Sequence, residues 1–417
     1  MQKNKKLNTL TLSGLMIGPI LGSGIVLLPP LAIKILGDQA IIAWMIIMLL
    51  GGIFAYVFAK MSLFTSTNEG ISLIIAHNLG PFFGELASNY LTMAVFFGPV
   101  AVVLTASEFI SAMFVAKDYN HLVIAFIVLV LAGIVLLMDV AKMGRLSLLL
   151  SSLTALLLVI GGALTLLAQP VIAFPNTFPE AGKLGYTLLL LFWSIIGWEV
   201  IGNYIEDVEN PQSTIMRAMK ISLTAVILVY LISTFALQNA VDLSSIDTSA
   251  SMTMGMILTP LFGDFSYFIM GVIAAGLCFC TLILFVGALA RQVAERAQKG
   301  SLPHFFIQKK GERSPRTILL TLLSIHTLLL VFIYFSWITL EIIVGIANTF
   351  FIGNALLGLL TSLRCMTGIV IKGCVVLLIL ILCVLMSYSP LVAWVLFMLV
   401  SAGSVFKYFL GQTANSL

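Results

Sequence analysis

Polar and charged positions along this chain come in short clusters, and the apolar runs between them are too long for the elements of a water-soluble core. Twelve such runs can be placed, at roughly 9–35, 40–62, 82–114, 121–139, 146–168, 184–205, 215–238, 265–291, 316–335, 339–361, 369–388 and 391–409. One membrane crossing takes about 20 apolar residues as helix, so the pattern predicts an all-α membrane protein with twelve transmembrane helices. Hydrocarbon offers no partner for a free N–H or C=O. Irregular backbone at that depth is therefore tolerated only where protein buries it or a cavity hydrates it.

Two of the runs carry interruptions of that kind. Residues 17–30 read IGPILGSGIVLLPP. Pro19 removes a backbone donor, and Gly22 and Gly24 weaken the helix and leave its backbone bare. The stretch predicts half-helices over 9–20 and 26–36 that flank a non-helical bridge over Leu21–Ile25. In the sixth run, residues 192–211 read FWSIIGWEVIGNYIEDVENP. Gly197 and Gly202 interrupt it, Glu199 stands in mid-span, and Glu206, Asp207 and Glu209 close on Asn210-Pro211. Broken crossings five spans apart point to an inverted-repeat transporter. The division expected is 1–168 for a first five-helix repeat, 169–361 for a second, inverted one, and 362–417 for two further helices and a tail. The outer loop 169–183, with Pro170, Pro175 and Pro179, is the seam.

Composition agrees with the patterning. The chain has 417 residues, of which 60% are hydrophobic and 9% charged, against about 25% charged in soluble domains. Of its 21 Lys and Arg, eighteen fall on one side of the predicted topology and only Lys34, Lys117 and Lys183 on the other. By the positive-inside rule the N- and C-termini are cytoplasmic, and the net charge of +4 reflects orientation, with no nucleic-acid partner implied. The start, MQKNKK before an apolar run, imitates a signal peptide, but no small-residue cleavage site follows. It reads as a retained first span. Five cysteines without a CxxC pair, and no His or carboxylate at ligand spacing beside them, predict free thiols, no metal and no cofactor.

The polar groups within the runs suggest a ligand with two poles. The N–H groups of Gly22, Ser23 and Gly24, with the Ser23 hydroxyl and the positive start of the second half-helix, suit a carboxylate. These glycines would equally permit close helix packing. Phe192 and Trp193 are candidates for an aromatic lid. Glu199, costly in a lipid-facing position, is either a proton-responsive switch or a hydrogen-bonded prop for the broken helix. Glu108 and Glu341 read as solvated or helix-end carboxylates, His326 as a satisfied histidine of the bundle in preference to a proton relay, and Asn348 as a donor into the pathway or a bridge between helices. No Lys or Arg lies at the centre of a pathway span, so a neutral, apolar amino acid fits better than an acidic one. Segment 63–80 is too short to cross and predicts a short interfacial or re-entrant helix stopped at Gly80-Pro81.

Several of these stretches resemble the amino acid–polyamine–organocation permeases. Gly18-Pro19-Ile20-Leu21-Gly22-Ser23-Gly24-Ile25 is similar to the family's first-helix glycine motif. Phe192 to Glu199, followed by Glu206 to Pro211, resembles its sixth-helix motif. Arg291 to Pro303, RQVAERAQKGSLP, is similar to its eighth–ninth helix loop, and Arg313-Ser314-Pro315 to the lead into helix nine. The likeness covers most of 9–361 and is nearest to bacterial inner-membrane exporters of methionine and branched-chain amino acids. It implies a LeuT-like 5+5 inverted repeat with broken helices 1 and 6, plus two peripheral C-terminal helices. It also implies that the carbonyls of Ile20, Trp193 and Ile196 accept the substrate ammonium, with Leu21 and Gly197 part of the same unwound lining. Methionine, leucine, isoleucine and valine are the favoured substrates. The chain departs from some proton-coupled relatives, which keep a lysine in span five. Proton coupling, sodium coupling and plain exchange therefore stay open.

The expectation is a secondary active transporter of the bacterial inner membrane, not an enzyme. A nutrient receptor or channel on the same scaffold is the alternative. An intramembrane serine enzyme built on Ser23 and His326 lacks a second polar partner.

Overall fold

The computed structural model describes residues 7–64, 71–113, 121–138, 143–169, 172–198, 208–240, 254–308 and 314–415. Glu199, Gly202, Glu206 and Asp207 lie outside the described residues.

The first crossing is α1 (Thr9–Leu21) followed by α2 (Gly24–Leu36). Asn8 starts it: its side chain accepts the Thr11 N–H at 3.0 Å, which satisfies one of the donors a helix leaves open at its N-terminus. The helical path continues through position 19 to Leu21, and only Gly22 and Ser23 fall out of it. The bridge is therefore narrower than the five residues expected. Proline at 19 removes one donor without ending the helix. Gly22 ends it, at φ 25° and ψ −131°, a conformation that favours a residue without Cβ.

The helices that follow are α3 (Ala40–Ser62), the short α4 (Ile71–Leu79), α5 (Pro81–Met113), α6 (His121–Met138) and α7 (Met143–Ala168). As expected for 63–80, α4 stops at Gly80, whose φ is 108°. After an irregular outer segment come α8 (Ala181–Leu191) with a single 3-10 turn over Phe192–Ile195, and α9 (Pro211–Ala240). Then come α10 (Thr259–Phe262), α11 (Ser266–Gln298), α12 (Arg316–Tyr334), α13 (Leu340–Cys365), α14 (Ile369–Ser387) and α15 (Leu391–Asn415). Among the described residues, nine stretches are long and apolar enough to cross a membrane, accompanied by three shorter apolar helices.

Two boundaries move for local reasons. Helix α11 runs seven residues past the expected 291, because RQVAERAQ keeps the helical register with a Glu295–Lys299 pair at 2.7 Å. It stops where Gly300 turns to φ 77° and the Ser301 N–H reaches back to Arg296 O at 2.9 Å, a glycine C-terminal cap. Helix α9 begins at Pro211, whose missing N–H costs nothing in a first turn.

The core is centred on α5, which packs most extensively on α11 and on α13. In α13, 89% of the apolar window is buried; in α14 and α15 the shares are 28% and 6%. The last two helices are peripheral, as expected, yet α15 is stitched to the N-terminal end of α5 by more polar groups than its sequence advertised. Ser401 meets Tyr90 at 2.8 Å, Ser404 accepts from Asn89 at 2.9 Å, and Lys407 pairs with Glu85. Arg296 at the end of α11 joins this cluster through Asn89 at 2.8 Å. Elsewhere, Lys34 in the last turn of α2 pairs with Glu341 in the first turn of α13 at 3.2 Å, one of the roles expected for that carboxylate.

Candidate functional site

The two interruptions lie side by side. A Cβ added to Gly24 would stand 3.5 Å from Cδ1 of Trp193 and 2.7 Å from the hydroxyl of Tyr230. The turn after α8 also packs on α2 and on α3. Gly24 therefore permits a close approach that any side chain would block.

At the first break, the Gly22 N–H still bonds Gly18 O at 2.9 Å. The first-turn N–H groups of α2 have no acceptor inside their own helix. Ser23 caps α2 by position only. Its side chain makes no capping bond, is 1% exposed, and its hydroxyl has no partner among the described residues. A buried donor cluster of this kind can receive an anion. The carbonyl of Ile20, one of the expected ammonium acceptors, already receives the Tyr230 hydroxyl at 3.2 Å. Tyr230 is fully buried and stacked on Trp44, with centroids 4.4 Å apart.

The second break is longer. Helix α8 ends at Leu191, the 3-10 turn follows, Ile196 is extended at ψ 138°, and Gly197 takes φ 120°. Unwinding frees carbonyls at the end of α8, and α13 answers. The Asn348 amide donates to Leu189 O at 2.8 Å and to Leu190 O at 2.9 Å. Asn348 is thus the bridge between helices, the second of its two expected roles. Ser194 donates to Leu191 O at 2.7 Å, and the Ile196 N–H reaches Trp193 O only at 3.4 Å.

Two small cavities lie beside the second break, on either side of Phe351. The first is walled by Val95, Gly98, Val102, Trp193, Phe285 and Phe351. The second is walled by Phe54, Phe58, Phe192, Ile196, Phe351 and Asn354. Each has room for about one water, too little for a leucine or methionine side chain, so this conformation is closed around its centre. Trp193 and Phe192 are buried as a lid would be, but they face different cavities. Trp193 lies edge-on to Phe351 at 6.0 Å, and Phe192 edge-on to Phe54 at 6.1 Å. Ser23 and Leu21 are buried and line neither cavity.

His326 has a structural task. Pro99 in α5 has no N–H to give Val95 O, its partner four residues back. The buried His326 ring supplies that bond through Nε2 at 3.1 Å. The tautomer that serves here carries its proton on Nε2.

Sequence reasoning missed Tyr230, Phe351, Asn354 and Gly98. For Tyr230 the available signal was a hydroxyl at the centre of an apolar span. For Asn354 it was a second asparagine six residues after Asn348. At Gly98 an added Cβ would meet Cη2 of Trp193 at 2.9 Å, so the glycine seats the ring.

Comparison with known proteins agrees with this architecture. The family described as amino acid permease matches residues 7–410. The L-methionine/branched-chain amino acid exporter YjeH of Escherichia coli is 26% identical over 370 residues, covering 85% of each chain. The putrescine transporter PotE of Haemophilus influenzae is 22% identical, covering 78% of this chain and 76% of its own. A cadaverine/lysine antiporter of Escherichia coli is 24% identical, covering 75% and 72%. The relatives carry amino acids or amines across membranes and are not enzymes. With buried polar groups gathered at two adjacent helix breaks and a family match over nearly its whole length, the chain belongs to the amino acid permease family.

Proposed function

We propose that this protein is a secondary active transporter that moves neutral, apolar amino acids across the bacterial inner membrane by alternating access. In this reading twelve crossings form a 5+5 inverted repeat with two added helices, and both termini are cytoplasmic. The substrate carboxylate is held by the N–H groups of Ser23 and Gly24 and by the Ser23 hydroxyl, and by the Gly22 N–H once it is released from Gly18 O. Its ammonium is shared by the carbonyls of Ile20, Trp193 and Ile196. A carbonyl has two lone pairs, so Ile20 can serve both Tyr230 and a ligand.

The observation that carries the reading is the contact between the breaks: Trp193 packs against Gly24, where a Cβ would stand 3.5 Å from its Cδ1, and the turn that holds Trp193 packs on α2. Preference for an apolar side chain rests on the cavity walls, which among the described residues hold no carboxylate and no Lys or Arg. A diamine like those named for two of the relatives would lack a counter-charge there. Methionine, leucine, isoleucine and valine are the substrates expected. Glu199 is assigned a proton-responsive role in the transport cycle, with Trp193 as the gate.

Proteoliposomes test this. Vesicles loaded with leucine or methionine should take up the labelled amino acid in exchange, saturably. Linear uptake would indicate a channel, and binding without flux a receptor. Glu199→Gln should flatten the pH dependence of exchange; an unchanged profile would reduce Glu199 to scaffolding.

A further inference from the structure

The two cavities that meet at Phe351 differ in chemistry. In the first, the described polar side chains are Trp193, with its indole N–H, and Thr281, whose hydroxyl is spent on Leu277 O at 2.8 Å. The rest of that wall is apolar. In the second, Asn354 is 6% exposed, and its Oδ1 has no partner among the described residues. A buried carbonyl oxygen without a donor is costly, and it is an acceptor, so it asks for an N–H or O–H group.

The rest of that wall narrows the choice of ligand. Phe54, Phe58, Phe192 and Phe351 line the same cavity as Asn354. Phenyl faces carry negative potential and attract organic cations, while they disfavour a carboxylate. The room available is that of about one water, which is also the size of an ammonium head group. Ile196, whose backbone is extended where the helix unwinds, lines the same space.

We propose that the second cavity is an ammonium subsite, with Asn354 Oδ1 as an acceptor for the α-ammonium of an apolar amino acid whose side chain occupies the first cavity. Rotation of Phe351 joins the two spaces. The inference rests on the transport reading above and adds to it a residue on α13, outside both broken crossings. It also makes the phenyl cage a filter: a ligand lacking a cationic nitrogen is excluded from this half of the site.

The test uses the full-length protein and three probes that compete with labelled leucine exchange in proteoliposomes: leucine, 3-methylbutylamine and 4-methylpentanoate. In Asn354→Leu, the concentrations of leucine and of the amine needed for half-inhibition should rise about tenfold or more. That of the acid should stay the same. Asn354→Asp should bind the amine as well as the wild type or better, and Phe54→Leu should weaken it severalfold. Equal loss for amine and acid, no loss for either, a weaker amine in Asn354→Asp, or an amine that never competes in the wild type would each overturn the proposal. The same probes are scored by thermal stabilisation of the purified protein, so a variant that no longer exchanges still reports. If wild-type vesicles fail to exchange leucine while amine stabilisation still depends on Asn354, the transport reading fails and the subsite stands.

Discussion

The two broken crossings solve one problem in opposite ways. The first loses only Gly22 and Ser23 from its helix and leaves a buried hydroxyl without a partner. The second gives up regular helix from Phe192 onward, and its freed carbonyls are capped from α13 by Asn348. In the proposed reading the first supplies donors and the second, through the carbonyls of Trp193 and Ile196, the acceptors that a zwitterion requires. The difference teaches that a glycine at the right dihedral opens a membrane helix more sharply than a proline does. Helix α1 continues through position 19, and α2 runs through Pro29 and Pro30.

The largest effect should come from closing the gap between the breaks. Gly24→Val places a branched side chain where a single Cβ already meets the buried Tyr230 hydroxyl at 2.7 Å. Leucine affinity should fall about 100-fold or more, close to 3 kcal/mol, while membrane insertion is kept. Unchanged binding would remove Gly24 from the site.

Next is the cap on the second break. Asn348→Leu removes the side-chain donor from Leu189 O and from Leu190 O, the latter keeping the Phe192 N–H, and a buried acceptor left unpaired costs about 1–3 kcal/mol. The thermal midpoint should drop by several degrees, with a larger loss of binding than of expression. A variant as stable as the wild type would mean that the break holds itself open.

An interruption outside the two breaks serves as a control. His326→Ala leaves Val95 O without its donor, at a cost of about 1–3 kcal/mol. In a Pro99→Ala background the helix regains its own N–H, and the cost of His326→Ala should shrink. A cost that is the same in both backgrounds would separate His326 from the proline gap. The smallest effect is expected from Tyr230→Phe. It keeps the stack on Trp44 and frees the Ile20 carbonyl, and a typical hydrogen bond nets about 1 kcal/mol. Leucine affinity should change by less than about fivefold, because Ile20 O has a lone pair for each donor; a larger loss would make the hydroxyl a ligand of the substrate.

Much of this was legible along the chain. Helical runs, the glycines at 22 and 24, the break near Gly197 and the stop at Gly80 are local features, written in propensities and in the absence of a Cβ. The groups that answer the breaks were harder to read. Tyr230 lies 210 residues from Ile20, Asn348 lies 158 from Leu190, and His326 lies 231 from Val95. A missing donor can be read from a proline, but the residue that replaces it is chosen by packing. The serines of α15 that bond to α5 were invisible for the same reason.

A structure determined with bound leucine or methionine tests the central claim most directly. The account predicts the ligand carboxylate within hydrogen-bond distance of the amide groups of Gly22–Gly24, with the ammonium on the side of Trp193 and Ile196. A ligand that reaches only one of the two breaks, or lies outside both, would contradict it.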